Sequence, residues 1–242
     1  MEISVRAHVD EALGFLDVVH HRHIPFAHVY AATLTANDVK SEELLVMREV
    51  FDRPTPYVMN ALQSKSATKG NPVAYVGFNK DPGKGTPAKR FLNPNIHGGE
   101  RALKSTERQL GGQFFVPGRG VPRDGYGNVR GSVYRRILSQ LKVSTNVDAN
   151  ASDSRRSKAK RKNDAYFKSK RGYILHRTSV GSGKSRSDVI KVVLVPIKAP
   201  NYVKRFPFYE TAERVVDAKY PVNFKLALDR AIATSNFKGR WS

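Results

Sequence analysis

The first motif with possible chemistry is a run of small residues around a lysine: Gly181, Gly183, Lys184 and Ser185. It resembles the end of a phosphate-binding P-loop, in which the lysine and the first N–H groups of a following helix hold nucleotide phosphates. The complete motif needs a glycine at the position of Thr178, and a β-branched run follows in place of a helix. The sequence therefore predicts a loop between two strands, not a nucleotide site.

Three histidines, His20, His21 and His23, lie within four residues at the end of an apolar helical pattern. Zinc sites usually take ligands at i and i+4 or from different elements, with partners that orient each ring. Cations at a helix C-terminus interact favourably with its free carbonyl groups. We therefore expect these histidines to form a polar cap and to bind no metal.

The carboxylates are also predicted to carry no chemistry. Glu42, Glu43 and Glu107 fall on helix faces that are expected to be exposed, where such charges are usually only solvated. The sequence contains no cysteine, no G-x-S-x-G motif and no acidic cluster suited to a two-metal nuclease. These observations predict a protein that is not an enzyme and that has no cofactor.

Positive charge is the strongest signal in the 242 residues. The chain has 42 Lys+Arg and only 21 Asp+Glu, which gives a net charge of +21. Residues 154–162 read S-R-R-S-K-A-K-R-K, a composition typical of a disordered or mobile arm. Tyr166, Phe167 and Tyr173 follow as possible stacking groups. The predicted contact residues are Arg155, Arg156, Lys158, Lys160, Arg161, Lys162, Lys168, Lys170 and Arg171.

Two partners fit this basic arm equally. Lysine and arginine near DNA displace condensed counterions and make binding dependent on salt. The same charge also suits an acidic protein surface, since charge alone does not select the partner. No apolar run approaches the roughly 18 residues of a membrane span, and acidic residues within the first twenty argue against a signal peptide. We expect no membrane partner.

Helices are predicted at both ends of the chain. Apolar residues at three- and four-residue spacing indicate three helices in the first sixty residues. The first ends at the histidines, the second starts at Pro25, and the third is capped by Asn37 or Asp38 and ends before Pro54. At the other end, one helix starts near Pro207 and is broken by Pro221, and a second carries the stripe Phe224, Leu228 and Ile232 with Ala227 and Ala231.

Between the ends, alternating and β-branched runs predict strands at 73–78, 165–167, 172–177 and 189–195, the last as a central strand. Helices are expected at 100–110 and 133–141, among long Gly/Pro-rich loops. The fold class is therefore α+β: N-terminal helices, a small and mostly antiparallel sheet with a basic arm, and C-terminal helices. We predict one domain, 1–242, with 80–164 as an extended loop or arm inserted in it.

Two stretches carry a resemblance to a known family. The first is A-A-T-L-T-A-N at 31–37, within the amphipathic N-terminal helices. The second is V-I-K-V-V-L-V-P-I-K-A-P-N-Y at 189–202, followed by Phe206 and a helical region that includes Pro221 and Ile232. In their order and pattern these stretches resemble the minor tail protein Z family, the tail-completion proteins of lambda-type tailed phages. The resemblance covers about the first 65 and last 55 residues.

The resemblance implies a structural virion protein, assembled in the host cytoplasm and located in the tail or neck. Such a protein would form a homo-oligomeric ring, six- or twelve-fold, around the DNA channel and would join the tail to the head. Its partners would be further copies of itself, neighbouring tail, neck or connector proteins, and genomic DNA through non-specific contacts. The alternative, which rests on the net charge, is a basic nucleic-acid-binding protein that acts outside a virion.

Overall fold

The computed structural model describes residues 13–79, 86–180 and 186–234. Its contacts divide the chain into two compact units, whereas the sequence analysis predicted one domain. Unit 1 is Met1–Leu92 with Arg205–Ser242, and unit 2 is Asn93–Lys204. The α+β class predicted from the sequence is confirmed, with long helices near both ends and small antiparallel sheets.

Unit 1 is built on two long helices, α1 (Ile24–Val50) and α7 (Phe208–Ala233). Ala27, Ala31 and Ala227 are fully buried where they pack together, and Tyr30, Phe224 and Leu228 surround them. Small side chains let the two helix backbones come close together. Asn223 fixes the pairing, because its side-chain amide donates to Thr35 Oγ1 at 3.1 Å and Asp38 Oδ2 at 2.9 Å.

The predicted N-terminal helical region is present and ends before Pro54, but its division into three helices is wrong, as are the expected break at Pro221 and the histidine cap. Residues 1–12 of the first predicted helix lie outside the described residues. Residues 13–18 are helical and continue through a π-helical turn, Val19–His23, directly into α1. The histidines therefore lie inside a continuous helix, and His23 is buried. Pro221 lies within α7 on its exposed side, where water can satisfy the carbonyl group left without a partner.

The rest of unit 1 comprises the short helix α2 (Pro56–Asn60) and an antiparallel pair, β1 (Leu62–Lys65) with β2 (Tyr75–Phe78). Phe206 is fully buried, and its ring centroid lies 5.7 Å from that of Phe51 and 6.5 Å from that of Phe78. This aromatic cluster holds the segment that leads into α7. The chain passes from unit 1 to unit 2 within α3 (Ala88–His97).

Unit 2 contains a four-stranded antiparallel sheet in the order β4-β7-β6-β5. Its strands are β4 (Phe114–Pro117), β5 (Asp164–Lys168), β6 (Ile174–Val180) and β7 (Ser187–Ile197). The predicted strands at 165–167 and 189–195 lie within β5 and β7, and most of the one at 172–177 lies in β6. β7 is an inner strand, as expected. The P-loop-like residues 181–185 lie outside the described residues, between two antiparallel strands.

The remaining elements of unit 2 lie mostly in the range predicted as an extended arm. They are β3 (Gly99–Glu100), α4 (Ser105–Gln109), α5 (Gly131–Gln140), a short 3-10 helix (Val147–Ala149) and α6 (Arg155–Asn163), and β3 pairs with β8 (Asn201–Tyr202). The predicted helix at 100–110 is shorter than expected. It starts after Lys104, whose N–H donates to Glu107, and ends where Gly111 and Gly112 take positive φ angles of 101° and 73°.

Side chains occupy hydrogen-bonding positions on both outer strands of this sheet. On β5, Gln140 of α5 accepts from the N–H of Tyr166 at 2.6 Å and donates to the carbonyl of Asp164 at 3.3 Å. On β4, the carboxylate of Glu107 accepts from the N–H of Phe115 at 3.1 Å. Covering an edge strand in this way satisfies backbone groups that would otherwise be free.

Candidate functional site

The basic segment predicted to be a disordered arm is the helix α6. The Ser154 hydroxyl accepts from the N–H of Ser157 at 3.3 Å and caps its first turn. Lys160, Arg161 and Lys162 occupy its last turn, where positive charge is favourable beside the free carbonyl groups. These two features stabilise a helix whose many like charges would otherwise oppose it.

Three arginines fix α6 to the rest of unit 2. Arg161 donates to the Ser152 carbonyl at 2.9 Å and to Ser157 Oγ at 2.8 Å. Arg177 of β6 and Arg186 both donate to the carbonyl of Lys162, at 3.4 and 3.1 Å, and so satisfy the C-terminal end of the helix. The basic residues of α6 therefore have a defined position.

The outer face of α6 consists of Arg155, Arg156, Lys158 and Lys162, all of them exposed. The helix contains no acidic residue and no buried residue. Phosphates or carboxylates can therefore approach this outer face without displacing side chains of the protein. It is the densest run of exposed cations in the described part of the chain.

The other predicted contact residues are not all near this face. Lys168, at the end of β5, donates from Nζ to the carbonyl of Leu110 at 3.1 Å. Lys170 and Arg171 are exposed in the turn between β5 and β6, at the opposite end of β5 from α6. A strand rises about 3.3 Å per residue, so this turn lies about 17 Å along the sheet from the helix. The structure therefore separates the predicted set into the helix and a distant turn.

Asp164, directly after α6, is the centre of a polar cluster that sequence reasoning missed. Its carboxylate lies 2.7 Å from His176 Nε2 and 2.6 Å from Arg136 Nη2. Partial burial opposes ionisation of Asp164, but hydrogen bonds from His176 and Arg136 outweigh it and lower its pKa. The strand register accounts for the contact between Asp164 and His176. Tyr166 lies opposite His176 and Asp164 lies opposite Thr178, so Asp164 and His176 are diagonal neighbours on one face of the sheet.

Tyr166 is not available for stacking on bases. It is buried, its ring stacks on His176 with centroids 4.2 Å apart, and the Arg136 guanidinium lies 5.4 Å from the ring centroid. The stacking role proposed for it from the sequence is therefore wrong.

Two carboxylates expected to be solvated are buried. Glu107 accepts from Arg101 Nη1 at 2.6 Å and Nη2 at 2.5 Å, and from the N–H groups of Lys104 and Phe115. Burial disfavours its charge, but these donors outweigh the effect and lower its pKa. Glu107 lies three residues after the N-cap residue Lys104. A glutamate at this position often accepts a hydrogen bond from the backbone of the N-cap residue, and this is the local signal that could have indicated its role.

Glu43, in unit 1, is fully buried in α1, and neither of its side-chain oxygens has a hydrogen-bond partner among the described residues. Burial raises its pKa to about 8, and the neighbouring charge of Glu42 adds to the rise. Glu42 itself is paired with Arg214 at 2.6 Å. Glu43 is therefore held in its neutral form near neutral pH.

The described residues include no group of three or more histidines and carboxylates placed to hold a metal ion. Within the same residues, no helix is both long enough and apolar enough to cross a membrane. No family model, curated protein or solved structure matches the chain. The basic helix α6 and the polar cluster beside it are the features from which a function can be argued.

Proposed function

We propose that this chain is a structural virion protein of a tailed bacteriophage, a tail-completion or neck component that forms a ring around the DNA channel and joins the tail to the head. The observation that carries the proposal is the outer face of α6, a fixed row of exposed cations suited to sequence-independent phosphate contacts. The resemblance of the two terminal regions to the minor tail protein Z family supplies the location in the virion.

The organisation of the chain supports this proposal. The alanine-rich N-terminal stretch lies in α1 and packs against α7, which carries the C-terminal part of the resemblance. The stretch at 189–202 lies largely in β7, an inner strand of the four-stranded sheet. β5 belongs to the same sheet and follows directly after α6 in the chain. The segments that resemble the family therefore lie in the main packed helices and in the sheet, and so belong to the parts that hold the fold together.

Electron microscopy tests the proposed location. Particles assembled without this protein should contain filled heads and tails that fail to join. The purified protein should form rings with six- or twelve-fold symmetry. Normal infectious particles without the protein would refute the proposal, and a DNA-binding protein that never enters particles would favour the alternative function outside a virion.

The salt dependence of DNA binding tests the role of α6. We expect changing Arg155, Arg156, Lys158 and Lys162 together to glutamine to reduce the log–log salt slope by up to about 3.6, because each lost duplex phosphate contact removes about 0.9. These four side chains are exposed, so folding should survive. Arg161 is left unchanged because it anchors the helix.

A matched variant changes Arg48, Lys65, Lys69 and Lys219, four exposed cations of unit 1, to glutamine and removes the same total charge. Its salt slope should stay close to that of the original protein. Equal losses in the two variants would show that α6 has no special role. A normal slope with loss of ring formation in the α6 variant would instead place an acidic protein neighbour on this helix.

A further inference from the structure

We infer that the pocket between α5, α6 and the start of β5 is a binding site for a phosphate group. The pocket has a volume of about 620 Å³. Its polar lining comprises Arg136, Ser139 and Gln140 from α5, Ser157, Lys160 and Arg161 from α6, and Asp164 from β5. Three cations thus surround a space that contains one carboxylate. This site is distinct from the outer face of α6, and its proposed ligand deepens the proposed DNA-facing function.

Helical spacing explains how α6 serves two surfaces. Ser157, Lys160 and Arg161 recur at three- and four-residue spacing and therefore lie on one side of the helix, toward the pocket. Arg161 already bonds to Ser152 and Ser157 and forms an ion pair with Asp153 at 3.5 Å, so its position is fixed. Lys160 is exposed and makes no hydrogen bond or ion pair through its ammonium group with the described residues. Its ammonium group is the donor available to a ligand.

The carboxylate of Asp164 offsets only part of this positive charge. It is bonded to Arg136 at 2.6 Å and to His176 at 2.7 Å, so its lone pairs are directed to partners already in place. The lining residues comprise three cations and one carboxylate. Arg161 is also paired with Asp153 at 3.5 Å, so Lys160 is the cation of the lining that has no ion-pair partner among the described residues. An anion that enters can share Arg136 through the nitrogens that do not face Asp164.

A phosphate fits this lining better than a carboxylate. Donors come from two helices, with Arg136 and Ser139 on one and Ser157 and Lys160 on the other. A tetrahedral phosphate presents oxygens in several directions and can accept from both helices, while a planar carboxylate has only two oxygens. The hydroxyl groups of the two serines add neutral donors, which phosphate sites commonly combine with lysine and arginine.

The test compares Lys160→Ala with Lys158→Ala, a matched change on the outer face of the same helix. Thermal unfolding of the full chain is measured in sodium phosphate and in sodium chloride at equal ionic strength. Phosphate should raise the melting temperature of the original protein and of Lys158→Ala. Lys160→Ala should bind inorganic phosphate roughly tenfold more weakly, because it loses one charge-assisted hydrogen bond.

A labelled DNA duplex identifies the source of the phosphate. If the site takes a backbone phosphate, Lys160→Ala lowers the salt slope by about 0.9 and abolishes the competition between free phosphate and DNA. If free phosphate stabilises the protein without competing with DNA, the pocket binds phosphate but is not part of the DNA contact.

Two results would overturn the inference. One is a phosphate-induced rise in melting temperature that survives in Lys160→Ala or is lost equally in Lys158→Ala. The other is the absence of any phosphate effect on the original protein; binding of an acidic peptide that Lys160→Ala abolishes would then assign the pocket to a protein partner. Neither result depends on particle assembly, so failure of this inference is distinguishable from failure of the proposed virion function.

Discussion

Replacing Glu107 by alanine is expected to lower the free energy of unfolding by about 3–5 kcal/mol, a cost typical of breaking a buried ion pair. The change leaves the Arg101 guanidinium buried without its carboxylate, and it removes the acceptor for the N–H groups of Lys104 and Phe115. The loss is large compared with a total stability of about 5–15 kcal/mol for a typical domain. Denaturant unfolding of the two proteins measures it.

Arg108→Ala provides the control, because Arg108 is exposed on the same helical turn. Its effect should lie within about 0.5 kcal/mol. The double variant Arg101→Met with Glu107→Leu should cost less than Glu107→Ala alone, since no unpaired charge remains. A Glu107→Ala protein as stable as the Arg108→Ala protein would show that the pair does not stabilise the fold.

Glu43 is expected to make the stability of the protein depend on pH. Its pKa is about 8 in the folded protein, against an ordinary value of 4.5. Between these values the folded state binds a proton that the unfolded chain has lost, so the free energy of unfolding falls as pH rises from 4.5 to 8. At 1.36 kcal/mol for each pKa unit, the loss between pH 5 and pH 8 is on the order of 4 kcal/mol.

The Glu43→Gln variant isolates this effect, because glutamine has nearly the same shape and does not ionise. The stability of the original protein minus that of the variant should fall steadily from pH 5 to pH 8 and then stay constant. Glu49→Gln, an exposed change on the same helix, should give a difference that does not vary with pH. If the Glu43→Gln difference is also flat, Glu43 titrates as an ordinary solvated carboxyl.

The pattern of apolar residues was sufficient to predict the fold class and the inner strand β7. It did not report burial along that strand, because Val193 and Leu194 are buried whereas Val189, Ile190 and Val192 are exposed. It could not predict the continuity of the N-terminal helix. Pro25 and Asp38 carry the local signals of helix starts, but both are accommodated in the continuous helix. Asp38 instead accepts a hydrogen bond from Asn223 of α7, 185 residues away in sequence.

The candidate site was predictable in part. The charge of residues 154–162 indicated the surface, but composition could not show that Arg177 and Arg186, from distant positions, bond the end of the helix. The burial of Glu43 and Glu107 was missed. The spacing of apolar residues predicts which face of a helix packs in the core, but it does not show whether other parts of the chain cover the polar face. The cluster at Asp164 depends on strand register, which neither spacing nor composition specifies.

The side chains of Gln140 and Glu107 on the outer strands have a consequence for behaviour at high concentration. A foreign strand that approached β5 or β4 would have to displace an amide or a carboxylate already bonded to the backbone there. Extension of the sheet from one molecule to the next is therefore disfavoured at these positions, and with it the growth of fibrils. At high concentration, these two edges are therefore protected from pairing with the strands of another copy.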